Sequence, residues 1–383
     1  MPNEPVKQTP NQEQKPKWVG KIPLGSMPKR RPGFLGRKNL MDYGEKDVYV
    51  APKRMLLPPW LIPLVAFALV ILLVFWILPG QLAPSPEPTV PVEVVLPPKE
   101  DDLAVVQVSV ADVFDSPYVR GKRITQVLYN EPLKILSTEP PNHIRVELSD
   151  GTRGFVLRSD LSAEIASVTP RDGMLKVIVR GDMKPIMSAA SAGTRVAEAP
   201  MGTILYSDYS SDQVMRLLLP SGGYGWITKD SVFIFDDLEA LPEPDHFVQS
   251  FTSSAMAFFN APWMPSGQTL NGISPEGAAR VAGLLNGKIL PYTLEKMAEV
   301  GQEVTLPVDP ETREFDLRYL REGDLVFFHP PDDEKRIESV AICMPERQWL
   351  RAEQNRASLR LGTISEQRDM ARWIYKVVRL TDD

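Results

Sequence analysis

The stretch that decides the fold of the C-terminal third is GDLVFFHPPDDEKRIESVAICM, residues 323–344. It contains two apolar runs, GDLVFFH over 323–329 and ESVAICM over 338–344, separated by a turn rich in Pro and Asp. Short apolar runs bounded by turn residues are typical of buried strands. Further strands are predicted around 349–353 and over 372–380. The pattern therefore predicts an antiparallel sheet at this end of the chain.

Two helical patterns precede these strands. SFTSSAMAFFN (250–260) and SPEGAARVAGLLNG (274–287) both place apolar residues on one face at helical spacing. Gly287 is a typical residue just beyond a helix C-terminus. Helices followed by an antiparallel sheet predict an α+β domain over residues 241–383.

Before this domain the sequence alternates in short strands and turns. One set of strands occupies 103–166 and a second set occupies 167–240. Asp150-Gly151 is a strong hairpin signal in the first set, and Ser221-Gly222-Gly223 is a Gly-rich turn in the second. Two small, successive all-β domains are therefore predicted.

The N-terminal part has a different character. WLIPLVAFALVILLVFWIL (60–78) has no charged residue, and its length predicts a transmembrane helix over 55–79. Residues 1–54 are Pro-rich and basic, and we interpret them as a disordered cytoplasmic tail. Residues 80–102 are interpreted as a Pro-rich linker. The positive-inside rule places the N-terminus in the cytoplasm and the later domains on the other side of the cytoplasmic membrane. A cleaved signal peptide is the alternative, but the leader is too long for one.

Composition excludes several classes of function. The net charge is −6, and it is more negative still without the basic tail, so nucleic acid is not expected as a partner. The single cysteine excludes a disulfide framework. No ligand spacing for a metal and no Gly-rich phosphate loop is present, so no cofactor is expected. The basic cluster Lys29-Arg30-Arg31 would bind anionic lipid or a cytosolic partner, or act only as a topology signal.

The runs described above resemble known families. GDLVFF and the strand from Ser339 to Cys343 resemble the NlpC-type cell-wall cysteine peptidases, which are papain-like. Val-Ala-Asp-Val at 110–113 and Thr-Gln-Val-Leu-Tyr at 125–129 resemble a bacterial SH3-like domain. Together they resemble the γ-D-glutamyl–diamino-acid endopeptidases. The implied fold class is multidomain, with one transmembrane α-helix, two small all-β SH3-like barrels and a C-terminal α+β papain-like domain.

The resemblance also implies where the catalytic groups should stand. The family pattern Gly-x-Asp-Cys-Ser-Gly aligns with residues 272–277, so Pro275 occupies the position of the nucleophilic Cys. Ser339 occupies the position of the His, and Arg351 that of the third, orienting group. Such an enzyme needs a thiolate, a base and an orienting group in contact. Ser274 is instead a good N-cap, and Pro suits the first helical position. Compared with the family pattern, the sequence therefore predicts that the start of the helix is retained and that the catalytic Cys, His and orienting group are absent.

No other residue is expected to replace the missing catalytic groups. Cys343 is the only thiol, and its apolar neighbours predict a packed side chain. The three histidines are His143, His246 and His329. Only the last could lie near the cleft, and a surface position at the end of its strand is the favoured interpretation. The leading hypothesis is therefore an inactive, membrane-anchored pseudopeptidase that binds cell-wall stem peptides or an envelope protein. An active hydrolase using substituted residues and a protein bridging cytosol and envelope are the alternatives. The resemblance makes the following cleft residues candidates for ligand binding: Trp263, Glu276, Tyr292, Ser339 and Arg351.

Overall fold

The computed structural model describes residues 63–72, 102–118, 120–352, 357–364 and 368–381. The predicted tail (1–54) and nearly all of the predicted linker (80–102) lie outside the described residues. Contacts divide the chain into two compact units, Met1–Thr89 and Val90–Asp383. In the first unit the described residues are helical over 63–72, which we label α1.

The second unit begins with two seven-stranded antiparallel sheets. Sheet I has the order β3-β2-β6-β5-β4-β1-β7 and sheet II has the order β10-β9-β13-β12-β11-β8-β14, so the second repeats the topology of the first. The strands of sheet I are β1 Leu103–Val106, β2 Val110–Phe114, β3 Arg123–Leu128, β4 Pro132–Ser137, β5 His143–Glu147, β6 Arg153–Leu157 and β7 Leu161–Ser162. Those of sheet II are β8 Leu175–Val179, β9 Met183–Met187, β10 Arg195–Pro200, β11 Ile204–Ser210, β12 Val214–Leu218, β13 Tyr224–Thr228 and β14 Val232–Phe235.

The alternation of buried and partly exposed side chains explains why these segments form strands. In β2 and β12 every second residue is buried and the others are partly exposed, the pattern of a sheet with one face on a core. The predicted hairpin at Asp150-Gly151 is confirmed, since β5 and β6 pair across it. Gly151 has a φ of +77°, a conformation that glycine adopts without steric cost.

The C-terminal part contains three helices, a two-stranded hairpin and a six-stranded sheet, sheet III, of order β17-β22-β18-β19-β20-β21. The helices are α2 Phe247–Met256, α3 Pro275–Leu284 and α4 Leu294–Met297. The hairpin is β15 Gln268–Thr269 and β16 Gly272–Ile273. Sheet III consists of β17 Gln302–Glu303, β18 Leu325–Phe328, β19 Ser339–Met344, β20 Gln348–Ala352, β21 Leu359–Thr363 and β22 Ile374–Arg379. The predicted helices and the four predicted strands of this region are therefore confirmed, with shifted ends.

Sheet III has an apolar core on each face. Leu325, Phe327, Val340 and Ile342 pack in one core together with the apolar face of α3. The alternate residues of the same strands, including Val326, Ala341 and Cys343, pack in the other. Burial on both faces explains why LVFF (325–328) is apolar without interruption.

The predicted fold class, which combined one transmembrane α-helix, two small all-β SH3-like barrels and a C-terminal α+β papain-like domain, is wrong. The described chain is mainly β-sheet with four helices, of which α2 and α3 have ten residues each and α4 has four. Among the residues that the structure describes, we find no helix with the length and apolar character that a membrane crossing requires. A helix rises about 1.5 Å per residue, so α1 over 63–72 covers about half of the ~30 Å hydrocarbon layer. The rest of the predicted span lies outside the described residues.

Candidate functional site

The N-terminus of α3 is the place where the sequence predicts the lost catalyst. Ser274 is the N-cap, and its hydroxyl oxygen accepts a hydrogen bond from the Gly277 N–H at 3.2 Å. The same hydroxyl donates to the Gly267 carbonyl oxygen at 3.2 Å. Pro275 is the first helical residue and is buried. The predicted cap is thus confirmed, and the Ser274 hydroxyl is engaged in holding the helix start.

Glu276 follows Pro275 in the first turn of α3 and is half-buried. Burial raises the pKa of its carboxyl group, and hydrogen bonds from backbone N–H groups partly offset this effect. A carboxylate near a helix N-terminus is stabilised by the helix dipole. Glu276 therefore places an acidic group beside the position where the family has its nucleophile.

Ser339 and Arg351 lie on neighbouring strands of sheet III. Ser339 begins β19 and pairs with Phe328, while Arg351 of β20 pairs with Arg360 of β21. Strand alternation puts the Ser339 side chain on the face of Cys343 and the Arg351 side chain on the face of Trp349, which is the face of sheet III opposite to α3. The Arg351 guanidinium donates a hydrogen bond to the Ala352 carbonyl oxygen at 3.3 Å. The positions expected for a base and its orienting group thus lie on neighbouring strands on the face away from α3, and neither residue is a base.

Backbone contacts place Trp263 beside the start of α3. It bridges to Ile273, the residue directly before the Ser274 cap, and its own N–H donates to the Ala357 carbonyl oxygen at 2.9 Å. Its side chain is 45% exposed. The backbone of Trp263 therefore lies next to the start of α3, and its role in ligand binding stays a prediction.

Tyr292 has a different position from the other candidates. It is only 2% exposed and packs in the core of sheet I. The Arg280 guanidinium stands 3.7 Å from the centre of its ring, and its backbone N–H donates to the Asp150 carboxylate at 3.0 Å. A ligand would reach this side chain only after sheet I had moved away from α3.

Sequence reasoning missed that sheet I forms one wall of the site. The Gln126 side-chain oxygen accepts from the Gln268 backbone N–H at 3.0 Å, and the Gln268 amide donates to the Thr125 hydroxyl at 3.2 Å. Arg123 donates to the Pro265 carbonyl oxygen at 3.2 Å. These residues hold the loop that leads into α3. No signal in the sequence reveals the contacts, because they join residues more than a hundred positions apart.

The remaining nucleophile and base candidates are engaged elsewhere. Cys343 is 1% exposed, and burial raises the pKa of its thiol, which opposes thiolate formation. His329 packs edge-on against Trp373, with ring centres 5.7 Å apart, and its Nδ1 lies 2.9 Å from the Pro330 carbonyl oxygen. Within the described ranges no cluster of His, Cys, Asp and Glu is arranged to hold a metal ion.

Comparison with known proteins identifies the fold. No family model and no curated protein matches the chain. A solved NlpC/P60 family protein from Bacillus cereus is similar, with a TM-score of 0.62 and 14% identity over 73% of this chain and 99% of that chain. An NlpC/P60 endopeptidase from Photobacterium damselae subsp. piscicida has a TM-score of 0.49 and 11% identity over 72% of each chain.

A third structure is RipD from Mycobacterium tuberculosis, described as a non-catalytic NlpC/p60 domain protein adapted to peptidoglycan binding. It has a TM-score of 0.26 and 18% identity over 36% of this chain and 100% of that chain, which is too low a score to carry an argument. At such identities the likeness is one of fold. The Bacillus cereus protein shows that the chain has the NlpC/P60 fold, and the predicted resemblance is confirmed at that level.

Proposed function

We propose that this protein is a non-catalytic protein of the NlpC/P60 fold that binds a cell-wall stem peptide, or a peptide of an envelope protein, at the N-terminus of α3. The observation that carries the proposal is Pro275 at the first position of that helix. Proline has neither a nucleophilic side chain nor a backbone N–H to stabilise a developing negative charge. The adjacent Ser274 hydroxyl is occupied by the cap and by Gly267.

The groups that remain at the site suit binding. Trp263 offers an exposed aromatic surface, and Glu276 offers an acidic group in a partly desolvated position. Arg351 of β20 does not belong to this group, because strand alternation places its side chain on the face of sheet III opposite to α3. A peptide that carries an ammonium group complements the Glu276 carboxylate, because charge-assisted hydrogen bonds are the stronger kind. The proposed place of action follows from the ligand: it is outside the cytoplasmic membrane, where the cell wall lies.

The test incubates the full chain with purified stem-peptide fragments and measures two quantities. Isothermal titration calorimetry should show binding, whereas an assay for newly freed amino groups should show no turnover. Trp263→Ala should weaken binding about tenfold, since an aromatic contact of this kind is worth about 1 kcal/mol or more.

Tyr319→Ala is the matched control. Tyr319 is 54% exposed in the same part of the chain, so its removal should leave the affinity unchanged. New amino groups released by the wild-type chain would show an active hydrolase and end the proposal. Absence of binding to every fragment would contradict the stem peptide as the ligand.

A further inference from the structure

Sheet II carries a row of large side chains on its outer face, away from its own core. The register of the strands places Met187, Trp226, Arg216 and Tyr209 side by side across β9, β13, β12 and β11. Tyr224 lies on the same face of β13, two residues from Trp226. We call the surface formed by Tyr209, Arg216, Tyr224 and Trp226 the aromatic face.

A β-bulge adds a carboxylate to this surface. The register between β11 and β12 shifts between Ser207 and Tyr209, so Asp208 is the extra residue. A bulge turns two successive side chains toward the same side of a strand. Asp208 and Tyr209 are accordingly both exposed, and Asp208 accepts two hydrogen bonds of 3.0 Å from the Arg216 guanidinium.

The rings and the guanidinium hold one another in place. The Tyr209 and Trp226 rings meet edge to face, with centres 5.9 Å apart and planes at 73°. The Arg216 guanidinium lies 4.5 Å from the centre of the Tyr224 ring. Tyr209 and Tyr224 are still 49% and 51% exposed. The aromatic face is thus ordered before any ligand arrives, which reduces the entropy cost of binding.

We propose that the aromatic face is a binding site for an oligosaccharide built from uncharged pyranose rings. A pyranose ring presents a flat C–H surface that packs on aromatic rings, and its hydroxyls both donate and accept hydrogen bonds. The Arg216–Asp208 pair offers N–H donors next to carboxylate acceptors, as neighbouring hydroxyls require. Because the pair is neutral overall, the charge of the site complements an uncharged ligand. This site lies outside the proposed peptide site and does not depend on it.

A Pro-rich peptide is the competing ligand, since such peptides also dock on aromatic surfaces. Proline residues have no N–H, so a peptide of this kind offers mainly carbonyl acceptors and makes no use of the Asp208 carboxylate. Nucleic acid would need a surplus of cations, whereas Arg216 is neutralised by Asp208. The paired donor and acceptor therefore favour the sugar.

The experiment titrates the full chain with a chito-oligosaccharide in a calorimeter, and separately with a Pro-rich peptide. Tyr224→Ala and Arg216→Met should each weaken the sugar affinity about tenfold, and Tyr209→Ala combined with Tyr224→Ala should weaken it further. Tyr319→Ala serves as the matched control, because that exposed tyrosine lies on another part of the chain. Thermal unfolding of each variant identifies any that is destabilised. If the double variant fails to fold, Tyr224→Ala alone decides the outcome.

Three results would overturn the proposal. The first is no detectable binding of the chito-oligosaccharide by the wild-type chain at millimolar concentration. The second is binding that Tyr224→Ala leaves unchanged, since the site would then lie elsewhere. The third is binding of the Pro-rich peptide alone, with the same sensitivity to Tyr224→Ala.

Discussion

The first turn of α3 is packed so closely against the preceding loop that single residues decide its geometry. A Cβ added at Gly277 would stand 1.9 Å from the Gly267 carbonyl oxygen, a backbone atom that has little room to move. Gly267 is also the residue whose carbonyl accepts from the Ser274 hydroxyl. The absence of a side chain at position 277 therefore allows the loop to approach the helix.

Gly277→Ala should destabilise the protein, although alanine favours a helix by about 1 kcal/mol over glycine. The expected loss is about 2–4 kcal/mol, because the clash must displace backbone rather than a flexible side chain. Urea unfolding of the full chain measures the change. Ser253→Ala on the exposed face of α2 is the control and should be neutral or slightly stabilising. An equally stable Gly277→Ala variant would mean that the loop does not contact α3 as described.

Whether other features at the residue scale could be predicted depends on how far apart in the chain the interacting residues lie. The Ser274 cap and the placement of Pro275 were predictable, because a cap involves only the next few residues. The burial of Tyr292 was not, since its environment is supplied by sheet I and by Arg280. Its side chain therefore looked like a ligand contact in the sequence and serves as packing between elements in the structure.

At the scale of elements, a charged network joins sheet I to α3 and α4. Arg280 of α3 lies 3.8 Å from Glu131, with only 11% and 16% of the two side chains exposed. Burial raises the pKa of Glu131 and lowers the pKa of Arg280, and each charge opposes the shift in its partner. Lys296 of α4 donates to the Asp150 carbonyl oxygen at 2.7 Å. This network fixes sheet I beside the candidate site.

Arg280→Ala should lower the free energy of unfolding by about 3 kcal/mol, because it leaves the buried Glu131 carboxylate without its cation. A second substitution, Glu131→Gln, should recover part of that loss in the double variant, which measures the coupling. The matched control is Arg153→Ala. Its partner is Glu147, and the Arg153 side chain is 60% exposed, so the loss should stay below about 1 kcal/mol. Equal losses at Arg280 and Arg153 would contradict the assigned network.

Most elements of the C-terminal part were predictable from local pattern. The strands β18, β19, β20 and β22 are apolar runs, and α3 has both a start signal and a stop signal. The strand β21 (Leu359–Thr363) was missed because three of its five residues are polar or glycine. It forms only by pairing with β20.

At the scale of the whole molecule, the C-terminal core is completed by sheet II. Ile178 and Met201 belong to the same buried cluster as α2, α3 and sheet III. Phe233 and Phe235 of sheet II pack against that cluster as well. The C-terminal part therefore shares its core with the sheets that precede it.

A fragment of residues 241–383 should be markedly less stable than one of residues 90–383, the compact unit of the structure. Each large apolar side chain that becomes exposed to solvent lowers the free energy of unfolding by about 1.5–3 kcal/mol. Thermal unfolding followed by circular dichroism, with dye binding to detect exposed apolar surface, compares the two fragments. Equal midpoints and no dye binding would show that the C-terminal part folds independently of sheet II.

The sequence by itself determined the helices α2 and α3, the apolar strands β18, β19, β20 and β22, and the capped start of α3. These features depend on residue type and on neighbours within one or two turns, which a linear pattern records. The loss of Cys and His from the aligned catalytic positions stays a prediction. Only the tertiary structure decided that the chain is mainly β, that sheet I walls the site and buries Tyr292, and that the aromatic face assembles from β11, β12 and β13. Those features arise from strand register and from packing between residues distant in the chain, and neither leaves a local signal.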